Sequence, residues 1–312
     1  MKALVTGGAG FIGSNIALAL EAKGATVMVA DDFSSARFEN LKSFRGEVIG
    51  TSVNDFDFDT LGNVDVVYHE AALTDTTVSN QKMMMHANVE GFRKILEFAV
   101  RHKSKLIFAS SAAVYGNQPA LQSERTKTDP LNIYGYSKLV ADRLAERAIR
   151  DRKIQIIGLR YFNVYGMGEQ SKGKTASMIY QLAEQMRSGK RPRIFHDGEQ
   201  MRDHIYVKDV VQANLLALDA NGSGIVNVGT GTATTFNRVI ELLNHVLSLN
   251  LEPDYFDNPY PFYQNKTQAD PEQAERLIGF KAKFSVEDGI RDYFVALYQT
   301  RPGQITTSLK QS

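Results

Sequence analysis

An open, doubly wound parallel α/β sheet followed by a smaller carboxyl-terminal α/β unit is the architecture this sequence predicts, and three observations predict it. Short apolar β runs alternate with amphipathic helical stretches through the first 165 residues, the order from which parallel sheets are built. The first run, Lys2 to Thr6, opens at once into GGAGFIG, Gly7 to Gly13, and a helix. Further on, residues 105–138 combine a buried strand, a hydroxyl pair and a Tyr-x-x-x-Lys step. That combination is chemistry rather than packing.

Composition narrows the field. With 312 residues the chain can bury a large core and divide into a main unit and an appendage. Its 36 Lys and Arg balance 35 Asp and Glu, which gives no electrostatic footing for nucleic acid or an anionic membrane. Cysteine is absent, so disulfides and thiolate-held metals are excluded, and no metal is expected. The amino terminus enters a strand directly, and no apolar run approaches about 18 residues. A soluble, cytoplasmic protein is therefore expected.

Strand, glycine turn and helix together make a phosphate cradle. Gly7 allows the tight turn, Gly10 lets the backbone approach a pyrophosphate, and Gly13 lets the helix lie close to the strand. The helix, SNIALALEAKG, is stopped by Gly24. Thr26 to Ala30 forms a second strand ending at Asp31, about 20 residues past the glycines, where a carboxylate can take both adenine-ribose hydroxyls and so favours NAD. Glu47 to Gly50 reads as a third strand and Val64 to Tyr68 as a fourth, ending in HEAALTDTT. His69 is read there as a structural residue. The segment MMMHANVEGFRKILEFAVRH is a long helix in which Met83 to Met85 are core or subunit interface.

Leu106 to Ala109 reads as an inner strand whose carboxyl end presents Ser110 and Ser111 at the lip of the sheet, where open α/β folds bind ligands. Downstream, Pro130 and Asn132 precede Tyr134, and apolar residues at helical spacing follow Lys138, placing Tyr134 and Lys138 on one helix face. A phenol titrates near 10, so it needs a neighbouring cation to act as a base. Lys138 can supply one, and Ser111 can hold a substrate hydroxyl in reach of the Tyr134 oxygen. A bare Tyr-x-x-x-Lys is common; a dinucleotide fingerprint upstream gives it meaning.

With these residues in place the chain resembles, over nearly its whole length, the extended short-chain dehydrogenase/reductase superfamily and, within it, the nucleotide-sugar epimerases. The GxxGxxG spacing with Phe11 and Ile12, the strand-end Ser111 and the Tyr134/Lys138 pair carry the resemblance. It implies a Rossmann-like sheet and a bound NAD, with NADP possible through Arg37, where NADP-using heptose epimerases carry a basic residue. Cofactor contacts are implied at Asp31, Asp32, Asp55 (the adenine amine), Ala71, Ala72 and Leu73 (the pyrophosphate) and Val164 (near the nicotinamide). Asn88 matches a residue that braces the site, and Lys138 one that bridges Tyr134 and the nicotinamide ribose.

On the substrate side the resemblance implies Thr76 and Ser111 near the sugar, Asn163 and Arg202 on the diphosphate, and Phe195 and Tyr263 on the nucleotide sugar. The Lys-Gly-x-x-Ala-Ser pattern of heptose epimerases stands as Lys172, Gly173, Ala176 and Ser177, which implies Lys172 as a second acid/base. Lys174 and Gln181 occupy substrate positions but depart from the small residue and the histidine expected there, and His204 replaces an aromatic. Asp209 is read as the cap of the helix through Leu218.

An epimerase must return hydride to the opposite face of the same carbon, and two faces can call for two acid/base groups. Ala112 and Ala113 after Ser111 lack the acidic pair a dehydratase needs. The expectation is inversion at carbon 6 of an ADP-linked heptose, with UDP-hexose 4-epimerisation as runner-up and a silent dinucleotide-binding scaffold as the other class. Residues 1–165, with a return near 205–232, should hold the dinucleotide and 166–312 mainly the nucleotide-activated sugar. A homo-oligomer is expected by analogy.

Overall fold

A computed structural model describes residues 1–76, 78, 80–118, 121–257 and 265–298. In chain order the amino-terminal half contains β1 (Lys2–Thr6), α1 (Phe11–Ala22), β2 (Thr26–Asp31), β3 (Glu47–Gly50), β4 (Val66–His69), α2 (Gln81–Met85), α3 (Gly91–His102), β5 (Lys105–Ser111) and α4 (Ile133–Arg150). Next come β6 (Ile156–Tyr161), β7 (Asn163–Tyr165), α5 (Met178–Arg187), β8 (Arg193–Phe195), β9 (Met201–Tyr206) and α6 (Val207–Asp219). The chain continues through β10 (Gly224–Val228), β11 (Ala233–Thr235), α7 (Phe236–Leu247), β12 (Asp254–Phe256), α8 (Glu272–Ile278) and α9 (Val286–Tyr298).

Among the described residues, seven strands form one sheet in the order β10-β6-β5-β4-β1-β2-β3, each pair parallel. Helices cover both faces, which is why β4 and β6 are buried along their whole length and read as continuous apolar runs. Ile16, Ala17 and Leu20 of α1 pack with Val210, Ala213 and Ala217 of α6 on one face. Phe92, Ile95 and Phe98 of α3 pack with Ala141 and Ala145 of α4 on the other. After β3 the chain crosses to the far side of β1, so the carboxyl ends of β1 and β4 flank the switch-point crevice.

The predicted helix after Asn80 is present, but a π turn at His86–Glu90 divides it into α2 and α3. Met84 is buried and Met83 is exposed. Asp209 does not cap α6, which has no side-chain cap. Its carboxylate instead accepts the Lys283 and Phe284 N–H groups at 3.0 Å each, because that loop brings two unpaired donors to the helix start.

The chain leaves the large sheet after β6 and returns with α6 and β10; Ala274 and Ile278 of α8 also pack into its core, which the sequence does not predict. The remaining strands form two small sheets, β11-β9-β7 and β12-β8. A second core, with Ile179 and Leu182 of α5, Val239 and Leu243 of α7 and Ile290 and Phe294 of α9, holds them. Among the described residues no helix is long and apolar enough to cross a membrane.

Candidate active site

The glycine turn and the loop after β4 touch across the switch point. Gly7 has φ +67°, and a Cβ there would lie 2.5 Å from the Ala71 nitrogen. A Cβ on Gly13 would run into the Gly7 carbonyl, so α1 lies directly on the turn. Gly10 is the N-cap of α1, with no side-chain cap and no acidic residue in the first turn, which leaves the helix N-terminus to an anion.

A cavity of about 1250 Å³ runs from this turn across the carboxyl ends of the strands. Gly7, Gly10, Phe11, Ile12, Gly13, Asp31, Asp32, Ala71, Ala72 and Leu73 line one end. Ser111, Tyr134, Lys138, Val164 and Lys172 line the centre, with Thr76, Asn163, Lys174, Gln181, Phe195 and Arg202 completing the wall. Asp55 does not line it; Thr51, Ser52, Val53 and Asn54 do, because the turn at Asp55 donates its N–H back to the Ser52 carbonyl. Arg37 lines an adjoining recess with Ser34 and Lys172. Tyr263 lies outside the described residues.

Asp31 is buried, accepting the Ala9 and Phe33 N–H groups at 2.9 Å each, so it pins β2 to the glycine turn while facing the cavity. Burial pushes its carboxyl above the usual range, and those backbone bonds oppose the push. Asp32 is exposed and holds Ser34 through its N–H and hydroxyl at 2.9 and 2.6 Å. Asn88, on the π turn, stands one layer behind the cavity. Its amide accepts from Leu73 N–H at 2.8 Å and donates to the Leu73 carbonyl and the Ser137 hydroxyl at 3.0 Å each, bracing the 71–74 loop against α4.

Asn132 caps α4 by accepting the Gly135 N–H at 2.8 Å, which places Tyr134 in the first turn and Lys138 one turn on. Ser111 accepts the Ala113 N–H at 3.1 Å, and its hydroxyl lines the cavity with the Tyr134 phenol. Lys138 donates to the Ala109 carbonyl at 2.8 Å. Burial pushes its ammonium down to about 8, with the Glu70 and Asp142 carboxylates opposing. Burial also pushes the Tyr134 phenol up, opposed by the Ser111 hydroxyl. In the chain by itself, burial holds Tyr134 toward the protonated phenol.

Lys172 sits on a 3-10 segment, Glu169–Thr175, and donates to the Thr74 hydroxyl at 3.4 Å. Burial lowers its pKa, and Glu169 opposes. Gln181 ties the start of α5 to this loop through the Lys174 and Ala176 carbonyls at 3.2 and 2.7 Å. Asn163 accepts from the Thr267 hydroxyl at 3.3 Å, Arg202 donates to the Met201 carbonyl at 2.8 Å, and Phe195 packs edge-on against Phe256.

A model of the NAD dependent epimerase/dehydratase family matches residues 3–229. The chain belongs to that family. The cradle fits the cofactor on which the family depends: glycines where a Cβ would collide, an uncapped helix N-terminus, and a carboxylate closing β2. The chain is 38% identical to the ADP-L-glycero-D-manno-heptose-6-epimerase of Alkalilimnicola ehrlichii, over 94% of this chain and 97% of that protein. The Helicobacter pylori ADP-L-glycero-D-manno-heptose-6-epimerase superposes with a TM-score of 0.89 at 37% identity, covering 96% of both chains. The UDP-glucose 4-epimerase of Thermotoga maritima, solved with UDP-glucose, gives 0.89 at 32% identity over 96% of this chain and 100% of that one.

Two residues of this family member's cavity are not given a role by the sequence. Glu70, one residue past β4, accepts from the Tyr161 hydroxyl at 3.0 Å, and that hydroxyl accepts from Asn214 at 2.9 Å. A carboxylate directly after an apolar inner strand is the signal that could have found it. His204 lines the cavity, is 2% exposed, and neither ring nitrogen has a hydrogen-bond partner among the described residues.

Proposed function

We propose that this nucleotide-sugar epimerase inverts carbon 6 of an ADP-linked heptose. The observation that carries the reading is Lys172, a second proton-transfer group lining the cavity that Tyr134 lines, held to Thr74 of the 71–74 loop. The 38% identity to a named heptose epimerase over 94% of the chain supports it. The superposition with a UDP-glucose 4-epimerase favours the second reading, UDP-hexose 4-epimerisation.

In this proposal the Ser111 hydroxyl and the Tyr134 oxygen hold the carbinol oxygen, and Tyr134, which would be ionised once the positive charge of bound NAD is added to that of Lys138, takes the carbinol proton onto its phenolate Oη. When bound, NAD supplies the acceptor for the carbinol hydride and gives the hydride back. Rotation about the exocyclic bond carries the carbonyl oxygen from Tyr134 toward Lys172, whose Nζ returns a proton to it. Asn163, Arg202 and Phe195 hold the nucleotide diphosphate, with Thr76, Lys174 and Gln181 toward the sugar. Asp31 and Asp32 receive the adenine ribose, and NAD is preferred to NADP because Arg37 lines the neighbouring recess and not this cavity. Residues 1–165 with the return at 205–232 form the dinucleotide half and 166–312 mainly the substrate half. A homo-oligomeric, cytoplasmic protein completes the proposal.

Proton NMR of mixtures with ADP-heptose, UDP-glucose and UDP-N-acetylglucosamine tests the assignment. Epimer formation from ADP-heptose is expected. Turnover of the UDP sugars alone would transfer the assignment to the 4-epimerase reading.

A further inference from the structure

The segment that carries Lys172 is fastened to the glycine turn by two asparagines. Asn15 of α1 donates to the Phe11 carbonyl at 2.8 Å and to the Met167 carbonyl at 2.9 Å. Asn40, on the short 3-10 turn Phe38–Leu41 after β2, donates to the Ala9 carbonyl at 3.0 Å and to the Ser171 hydroxyl at 3.2 Å. Ser171 immediately precedes Lys172, and its hydroxyl donates to the Gly168 carbonyl at 3.0 Å. Glu169, fully buried, closes the segment on itself by accepting the Gly166 and Ser177 N–H groups at 2.9 and 2.6 Å.

Ala9 stands in the middle of the glycine turn, with its N–H given to Asp31 at 2.9 Å and its carbonyl taken by Asn40. That carbonyl belongs to the peptide group leading into Gly10, the N-cap of α1. On the other side of the crevice Lys172 reaches Thr74 at 3.4 Å. The lysine segment therefore rests on both walls of the switch point.

We infer that Asn40 is a positioning residue for Lys172: it sets the lysine segment on the glycine turn, so that a dinucleotide seated on the turn also fixes the segment. An anion at the helix N-terminus restrains the turn, and the Asn40 bonds pass that restraint to the residue beside the lysine. Placement matters here because a shift of about 1 Å can cost a reaction about 10²-fold. The inference deepens the reading above and rests on Lys172 being the second proton-transfer group.

Amide hydrogen exchange of the full chain, with and without saturating NAD, tests it without turnover. In the parent, NAD should slow exchange at both 7–13 and 168–177. Two variants break the contact from opposite ends: Asn40→Ala removes both bonds, and Ser171→Ala removes the loop partner and leaves Asn40 on Ala9. In each, slowing at 7–13 should persist while slowing at 168–177 falls about fivefold, the worth of one neutral hydrogen bond. Kinetics separate positioning from general weakening. Asn40→Ala should lower kcat about fivefold in the parent and cause no further fall in Lys172→Met, because it acts through that amine. Equal slowing at 168–177 in the parent and both variants, or an equal fold loss of kcat in both backgrounds, overturns the inference. Full activity of Lys172→Met would refute the proposed chemistry alone, and the exchange result would still decide whether Asn40 fixes the segment.

Discussion

Tyr134 and Lys138 show how far a residue's chemistry can be read from spacing alone. Four positions on a helix put them on one face, and a strand-end serine faces them, so the trio was legible. Its electrostatic balance was not, because burial and the Glu70 carboxylate act from residues far away in sequence. Glu70 itself gains meaning only through Tyr161 and Asn214, 91 and 53 positions removed along the chain in successive links. Lys172 is the residue whose loss discriminates most sharply. Lys172→Met should lower kcat for inversion by about 10²- to 10⁴-fold, the ordinary worth of a positioned proton donor, while calorimetry finds NAD binding unchanged. Full activity in that variant would remove the second acid/base from the mechanism.

At the scale of elements, the glycine turn, the parallel strands and α4 were legible because each announces itself in a local pattern. The π turn at His86–Glu90 was not, since an apolar helical period passes through it without a break. Its consequence is Asn88, whose amide serves the Leu73 backbone and the Ser137 hydroxyl together. Asn88→Ala takes away the partner of the Leu73 N–H and carbonyl and should cost about 1–3 kcal/mol in urea unfolding. It should also weaken NAD binding, because the 71–74 loop loses its brace against α4. An unchanged urea midpoint with unchanged affinity would mean that the loop is held elsewhere. Asp209 carries a similar lesson: an acidic residue in a first turn looks like a helix partner, yet it was recruited by a loop 74 residues on.

For the whole molecule, pH dependence follows from buried neutral groups. His204 is pushed down to about 3 by burial and by Arg202. Unfolded, it takes a proton near pH 6.5; folded, it resists until about 3, so between those limits protons favour the unfolded chain and stability falls as pH falls. His204→Phe removes this contribution and the two unpartnered nitrogens. Its stability relative to the parent should therefore rise by about 1.4 kcal/mol for each pH unit below 6.5, read from urea midpoints at pH 7 and 5. The difference cancels Glu70, whose raised carboxyl works in the opposite sense between about 4.5 and 7. Equal differences at the two pH values would show that His204 is already charged in the native fold.

The sheet's edge carries one more lesson. Because β10 lies beside β6 and α8 packs over it, shortening the gene after the sixth strand would strip a border strand from the larger half and bare a row of amide groups. Cut apart, the two regions should not fold as separate pieces, and a nick between them should leave both fragments clinging together until denatured.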